Sequence, residues 1–152
     1  MGAVGTRRTR WAKSNGVRVG LVGCGTIGSQ LALALQREFP RTARMTALHD
    51  IDLTHAVTLR RQLHPAPVLA SLPALVRTSQ LVIEAASVDA ARRVLELSLR
   101  YRRDVFIMSV GALLRDRTWQ ARARRVGIRV YIPSGALAGL DGVKAMAVGT
   151  IT

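Results

Sequence analysis

The stretch VRVGLVGCGTIG, residues 17–28, joins a short apolar run to three glycines at Gly23, Gly25 and Gly28. A helical pattern begins near Thr26, so the glycines stand between a predicted strand and a predicted helix. In this context the G-x-G-x-x-G spacing indicates a dinucleotide-binding turn. Gly23 allows the tight turn, Gly25 leaves the backbone open to a pyrophosphate, and Gly28 lets the helix pack closely on the strand. The helix would then present its unpaired N–H groups and positive dipole end to the phosphates.

A second apolar run, residues 45–48, leads into a carboxylate at Asp50. Asp50 lies 22 positions after Gly28, and a dinucleotide fold places an acid roughly 20 residues beyond its glycines to bind the adenosine ribose. Because a carboxylate there repels a 2′-phosphate, the pattern favours NAD over NADP. Arg60 and Arg61 would offset that repulsion if they folded back over the site, which keeps NADP as an alternative.

Size and composition are typical of a globular α/β domain. The chain has 152 residues, 49% of them hydrophobic, and a mean hydropathy of +0.19, a composition that supports a buried core. No apolar run reaches the roughly 18 residues of a membrane span, and the N-terminal residues lack the apolar segment of a secretory signal. One cysteine, Cys24, fits a reducing compartment, so we expect a cytoplasmic protein. We interpret Cys24 as a small filler between two glycines rather than as a redox thiol.

Basic residues outnumber acidic ones by 23 to 9, which gives a formal net charge of +14. All but Lys13 and Lys144 are arginines, and they are spread over almost every segment. Basic domains often bind nucleic acid, but aromatic residues for base stacking make up only 4% of the chain and no nucleic-acid-binding motif is present. The arginines therefore predict solvated helix faces whose positive field attracts anionic ligands. Nucleic acid and membrane are disfavoured as partners, and no metal site is predicted.

Strand and helix patterns alternate along the chain with short connections. The predicted strands cover residues 17–22, 45–49, 68–69, 80–85, 104–108 and 128–132. The predicted helices cover residues 26–39, 52–63, 71–77, 88–101 and 113–126. This alternation predicts an α/β fold, a doubly wound parallel sheet of the Rossmann type with helices on both faces.

Three segments of small residues follow predicted strands, at residues 85–87, 109–112 and 133–136. In doubly wound sheets, ligands bind beyond the carboxyl ends of the strands where the strand order reverses. Small side chains at these positions leave room for a flat cofactor, so we interpret the three segments together as a binding rim. The alternative for each segment is a tight strand-to-helix turn with no ligand.

Together with the glycine turn, several motifs resemble the NAD-binding half of L-aspartate dehydrogenase. They are EAAS at residues 84–87, IMSVGA at 107–112 and, most specifically, PSGALAGLD at 133–141. That family is related to the homoserine dehydrogenase nucleotide-binding domain, and the likeness covers residues 18–145.

The resemblance implies roles for individual residues. Thr26 and Ile27 would meet the pyrophosphate, and Asp50 would hold the ribose. The remaining positions would line the cofactor or, for the last of them, lie near the nicotinamide: Ala86, Ser87, Ser109, Val110 and Ala136.

Members of that family oxidise L-aspartate to iminoaspartate with NAD or NADP, and the imine serves NAD biosynthesis or hydrolyses to oxaloacetate. Their second α/β domain carries the catalytic histidine and most substrate contacts, and the sequence stops at Thr152, where that domain would be starting. The three histidines, His49, His55 and His64, do not match the catalytic position. We therefore assign no catalytic residue and expect a chain that binds NAD with negligible dehydrogenase activity alone.

We therefore predict three parts of the chain: a flexible basic arm at residues 1–16, a dinucleotide-binding domain at 17–142 and the start of a truncated second domain at 143–152. A truncated gene product and a separate subunit with the missing half both stay open. Two other functions also stay open: a non-catalytic nucleotide-binding module or subunit, and a homoserine-dehydrogenase-type NAD-binding domain. Apolar residues around 143–151 would favour self-association into a homo-oligomer if no second domain covered them.

Overall fold

A six-stranded parallel sheet lies at the centre of the computed structural model, which describes residues 16–133. Its strands are β1 (Val17–Val22), β2 (Ala43–His49), β3 (Val68–Leu69), β4 (Leu81–Glu84), β5 (Asp104–Ile107) and β6 (Val130–Tyr131). They are ordered β3-β2-β1-β4-β5-β6, and every neighbouring pair is parallel. Because the order reverses between β1 and β4, the sheet is doubly wound, and the predicted Rossmann-type fold is confirmed.

Helices cover both faces of this sheet. Within the described residues they are α1 (Thr26–Glu38), α2 (Leu53–Gln62), α3 (Leu72–Thr78), α4 (Val88–Tyr101), α5 (Gly111–Leu114) and α6 (Trp119–Val126). The core under α1 and α2 includes Val19, Leu21, Leu31, Leu35, Leu48, Leu59, Ile83 and Phe106. The core under α3 to α6 includes Val22, Leu72, Leu75, Val82, Val94, Leu95, Val105, Ile107 and Leu113.

The central strands are buried on both sides, as the apolar sequence of β4 suggests. Val82 packs into one core and its neighbour Ile83 into the other, because successive side chains of a strand point to opposite faces. Val105 and Phe106 of β5 divide in the same way. Each such side chain contributes roughly 1.5–3 kcal/mol when it leaves water. The two cores therefore hold the carboxyl ends of β1, β4 and β5 in fixed positions.

One predicted helix is wrong. Residues 113–126 were expected to be a single helix, but they contain the end of α5, a break and then α6. The Asp116 carboxylate accepts hydrogen bonds from the backbone N–H of Thr118 at 2.8 Å and from its hydroxyl. A short polar side chain that bonds the backbone in this way competes with helical hydrogen bonding and favours a turn. The other predicted helices and strands are present, with ends that differ by up to two residues.

Several arginines form structural contacts rather than pointing freely into solvent. Arg122 donates to both carboxylate oxygens of Glu96 at 2.8 and 2.6 Å, which joins α6 to α4, and it also lies 3.4 Å from Asp116. These hydrogen bonds raise the pKa of the Arg122 guanidinium further. Arg18 and Arg103 donate to backbone carbonyl oxygens at 3.2 and 2.7 Å. Part of the positive charge is thus used to connect neighbouring elements.

Two ends of the chain, residues 1–15 and 134–152, lie outside the described residues. The predicted arm at 1–16, apart from Gly16, and the predicted second domain at 143–152 fall there, and both stay predictions, as does the boundary at 142. Within residues 16–133, no helix has the length and hydropathy needed to cross a bilayer.

Candidate functional site

The turn between β1 and α1 has the packing that the glycine spacing predicts. Gly23 has a φ of +93°, a region that residues with a side chain rarely adopt. A Cβ there would also lie 2.5 Å from the carbonyl oxygen of Ala85. At Gly28 a Cβ would overlap the carbonyl oxygen of Gly23. The first turn of α1 therefore packs directly on the backbone of the glycine turn.

Gly25 differs from the two other glycines because a Cβ there would have no heavy atom within 4 Å. Its surroundings are open, and it is the N-cap residue of α1, with no side chain capping the helix. The backbone N–H groups of Thr26 and Ile27 have no hydrogen-bond partner among residues 16–133. The first turn of α1 also has no acidic side chain. This combination is a cradle for an anionic group at a helix N-terminus.

Asp50, the predicted ribose-binding residue, lies directly after β2 and holds the glycine turn. Its Oδ2 accepts a hydrogen bond from the Cys24 N–H at 2.6 Å, and its Oδ1 accepts one from the Asp52 N–H at 2.8 Å. The side chain is only 9% exposed, and the Nδ1 atom of His55 lies 3.8 Å from Oδ2. A carboxylate offers about four acceptor positions, so Asp50 retains capacity for ribose hydroxyls.

Cys24 is buried in the middle of this turn. Burial raises the pKa of its thiol to about 12, and the negative charge of Asp50 adds to the effect. The side chain therefore stays a neutral thiol at physiological pH, which agrees with its interpretation as a small filler.

The loops after β4 and β5 lie on the same side of the sheet as the glycine turn, because β4 neighbours β1 and β5 neighbours β4. Ala86 and Ser87 are exposed, and the Ser87 hydroxyl accepts a hydrogen bond from the Ala90 N–H at 3.2 Å, which caps α4. Ser109 and Val110 are half-buried after β5, and Val110 is the N-cap residue of α5. The structure thus brings four of the five predicted lining residues to one edge of the sheet. The fifth, Ala136, lies outside the described residues.

The burial of an acid at this edge, the glutamate of the EAAS motif, was not predicted from the sequence. Glu84, the last residue of β4, is fully buried, and its carboxylate accepts hydrogen bonds from Ala86 N–H, Ser109 N–H and the Ser109 hydroxyl at 2.8, 3.0 and 2.8 Å. The only signal in the sequence was an acidic residue at the end of an otherwise apolar strand.

Several large apolar side chains near this edge are exposed. Ile27, Ile51 and Val88 are 49%, 101% and 39% exposed, and they follow the ends of β1, β2 and β4. Their signal in the sequence is an apolar residue just beyond a strand, where a polar loop residue is usual. Within the described part of the chain, no group of three or more potential metal-binding side chains is present.

A family model described as "Homoserine dehydrogenase, NAD binding domain" matches residues 23–133, which include every element from the glycine turn to β6. The chain belongs to the homoserine dehydrogenase NAD-binding domain family. It is therefore an NAD-binding domain, and the predicted cofactor, NAD, is confirmed.

Within this NAD-binding domain family, curated relatives carry the name that the sequence motifs suggested. The domain is 37% identical over 139 residues to the L-aspartate dehydrogenase of Methanocaldococcus jannaschii, covering 89% of the chain and 52% of the relative. It is 35% identical over 135 residues to the L-aspartate dehydrogenase of Nitrosopumilus maritimus, covering 85% and 49%. The predicted resemblance is confirmed, and the chain spans about half the length of the relatives it matches.

Solved structures show the same fold for this NAD-binding domain at lower identity. An NAD-binding oxidoreductase from Klebsiella pneumoniae superposes with a TM-score of 0.67 at 20% identity, covering 91% of the chain and 40% of that protein. GenD2 from gentamicin A biosynthesis, solved in complex with NAD, gives 0.64 at 21% identity, covering 78% and 34%.

Proposed function

We propose that the chain is the NAD-binding half of an L-aspartate-dehydrogenase-like oxidoreductase, which oxidises L-aspartate to iminoaspartate when a second half completes it. The observation that carries the cofactor site is the contrast among the three glycines. Gly23 and Gly28 are tightly packed, whereas Gly25 faces open space beside free helix N–H groups. The residues present therefore fit a dinucleotide. When bound, NAD supplies the hydride acceptor.

The pyrophosphate is proposed to lie against Gly25. Thr26 and Ile27 would donate their backbone N–H groups to its oxygens, and the positive end of the α1 dipole would favour its charge. Gly23 and Gly28 hold the turn and the first turn of α1 in place. A side chain at either position would clash with backbone atoms, so their role is in packing.

The adenosine ribose is proposed to bind Asp50, whose two oxygens each have one hydrogen bond and can each accept another. A 2′-phosphate would meet the same negative charge, which supports a preference for NAD over NADP. Arg60 donates its Nε–H to the Pro67 carbonyl oxygen at 2.9 Å rather than contacting Asp50. The exposed apolar side chain of Ile51, next to Asp50, offers a surface for the adenine.

The nicotinamide half is proposed to extend over the ends of β4 and β5, where it would contact Ala86, Ser87, Ser109 and Val110. The second mononucleotide-binding half of a Rossmann sheet lies on this side of the switch point. The assignment of Ala136 next to the nicotinamide rests on the family resemblance.

We also propose a cytoplasmic location, which is in keeping with the free thiol of Cys24. A homo-oligomer that forms through the apolar residues of the segment 143–151 is a further proposal.

Replacing Asp50 with asparagine should weaken NAD binding roughly tenfold or more, because a charge-assisted hydrogen bond to the ribose contributes about 1.5–3 kcal/mol. NADP binding should change less, since the variant also removes the repulsion of the 2′-phosphate. Isothermal titration calorimetry with both nucleotides measures this. The matched control is Asp52→Asn, because Asp52 is half-exposed nearby and caps α2, and asparagine is an equally good cap. An equal loss for NAD and NADP would contradict a ribose contact.

The substrate assignment can be tested by joining the chain to the remaining half of the Methanocaldococcus jannaschii relative. We expect L-aspartate-dependent NADH formation by the hybrid, roughly 10³-fold or more above the isolated chain, because only the hybrid holds the two reactants together. Absorbance at the NADH band reports the rate. Activity on L-homoserine instead would favour the homoserine-dehydrogenase type, and a hybrid that binds NAD without turnover on either amino acid would favour a non-catalytic module.

A further inference from the structure

We propose that the buried carboxylate of Glu84 makes this site bind NAD⁺ more tightly, relative to NADH, than it would without that charge. Glu84 would act as a positioning residue that holds the two loops under the nicotinamide half and adds a negative charge beneath them. The inference rests on the cofactor placement proposed above and goes beyond it by assigning a preference for one oxidation state.

The position of Glu84 is the first observation. It ends β4, where it is in register with Val22 of β1 on one side and with Ile107 of β5 on the other. The strand order reverses between β1 and β4, so Glu84 lies at the switch point where the ligands of doubly wound sheets bind.

The hydrogen bonds of Glu84 are the second observation. Its Oε1 accepts from the Ala86 N–H and the Ser109 hydroxyl, and its Oε2 accepts from the Ser109 N–H. All three partners donate, which is the pattern of an ionised carboxylate. The same bonds tie the loop after β4 to the loop after β5, and both loops contain proposed cofactor contacts.

The missing counter-charge is the third observation. Within residues 16–133, no arginine, lysine or histidine forms an ion pair with Glu84, although the chain is strongly basic. A fully buried charge without a cation is rare, because its desolvation is offset only by hydrogen bonds. A cationic ligand placed nearby would supply the missing partner.

The oxidised nicotinamide ring carries a positive charge and the reduced ring does not. A fixed anion near the ring would therefore attract NAD⁺ and leave the binding of NADH almost unaffected. A site favours one oxidation state of the nucleotide only through such a difference in affinity. Removing the charge should lower the ratio Kd(NADH)/Kd(NAD⁺) about tenfold, the usual size of one unit charge acting inside a partly buried site.

The test compares dissociation constants for NAD⁺, NADH and ADP-ribose, measured by calorimetry on the 152-residue chain. Glu84→Gln should reduce the ratio Kd(NADH)/Kd(NAD⁺), and ADP-ribose, which lacks the nicotinamide, reports any general damage to the loops. The matched control is Asp104→Asn, because Asp104 is also a buried acid, bonded to the Arg129 N–H at 2.9 Å, but starts β5 at the opposite edge of the sheet. It should leave the ratio unchanged, and so should Glu84→Asp, which retains the charge.

An unchanged ratio in a folded Glu84→Gln chain overturns the proposal while the cofactor site itself stands. If that variant does not fold, the charge can be removed from the ligand instead: the parent chain is expected to bind NAD⁺ about tenfold more tightly than benzamide adenine dinucleotide, whose ring has a similar shape and no charge, and equal affinities overturn the proposal. If the parent binds none of the three nucleotides, the cofactor placement fails first and this inference falls with it.

Discussion

Gly25→Val is expected to abolish measurable NAD binding, a loss of about 100-fold or more, while the chain without cofactor melts within about 4 °C of the parent, the cost of about 1 kcal/mol for a poorer N-cap. No heavy atom lies within 4 Å of a Cβ at this position, and the backbone angles, φ −70° and ψ −162°, are open to any residue. Valine therefore has room in the free chain. Its methyl groups would occupy the space that the pyrophosphate needs, and the N–H groups of Thr26 and Ile27 would lose access to the phosphates.

Calorimetric titration with NAD and a thermal melt measure the two halves of this prediction. Thr58→Val, on an exposed position of α2, is the matched control, and it should alter neither NAD affinity nor melting temperature. A Gly25→Val chain that binds NAD like the parent would show that the phosphates lie elsewhere and that the glycine turn has no role in binding them.

Gly28→Ala is expected to destabilise the fold by about 3 kcal/mol, which lowers the melting temperature by roughly 10 °C for a chain of this size. The added Cβ would overlap the carbonyl oxygen of Gly23. That atom belongs to the backbone of the turn, so it cannot rotate away as the end of a flexible side chain can. Either α1 moves off the strand or the turn opens, and both changes expose buried apolar surface.

Urea unfolding of the free chain measures this loss without any cofactor. Gly25→Ala is the control, because it adds the same methyl group only three positions away in open space, and it should cost about 1 kcal/mol or less, since alanine is a poorer N-cap than glycine but restricts the unfolded chain. Equal unfolding free energies for the two variants would contradict the close packing of α1 on the glycine turn.

Much of the fold follows from local patterns in the sequence. The alternation of apolar runs and helical repeats predicts the parallel sheet, and α4 begins at Val88 and ends at Tyr101, as its periodicity indicates. The break between α5 and α6 was missed because it depends on the Asp116 side chain bonding Thr118. The surrounding residues have good helix propensity, so periodicity alone gives no sign of that competition.

The site was predictable in part for a related reason. The three glycines and Asp50 were proposed as site residues from spacing alone, because each is placed by its distance from a neighbouring strand or helix in the sequence. The role of Glu84 depends on Ser109, which is 25 residues away in sequence and reaches it only through the pairing of β4 with β5. The hydrogen bond from Cys24 to Asp50 spans 26 residues in the same way. These hydrogen bonds form only when the strands are assembled into the sheet, so no local sequence pattern predicts them.

The hydrogen bond between Asp50 and the Cys24 N–H has a consequence for redesigning the cofactor preference. The residue proposed to select against NADP is also the residue that holds the glycine turn at the end of β2. A substitution chosen only to admit a 2′-phosphate would release that turn at the same time. An NADP-accepting version of this domain would therefore need a second change that gives the Cys24 N–H a new acceptor. A single substitution at Asp50 should leave both nucleotides weakly bound, with the larger loss for NAD.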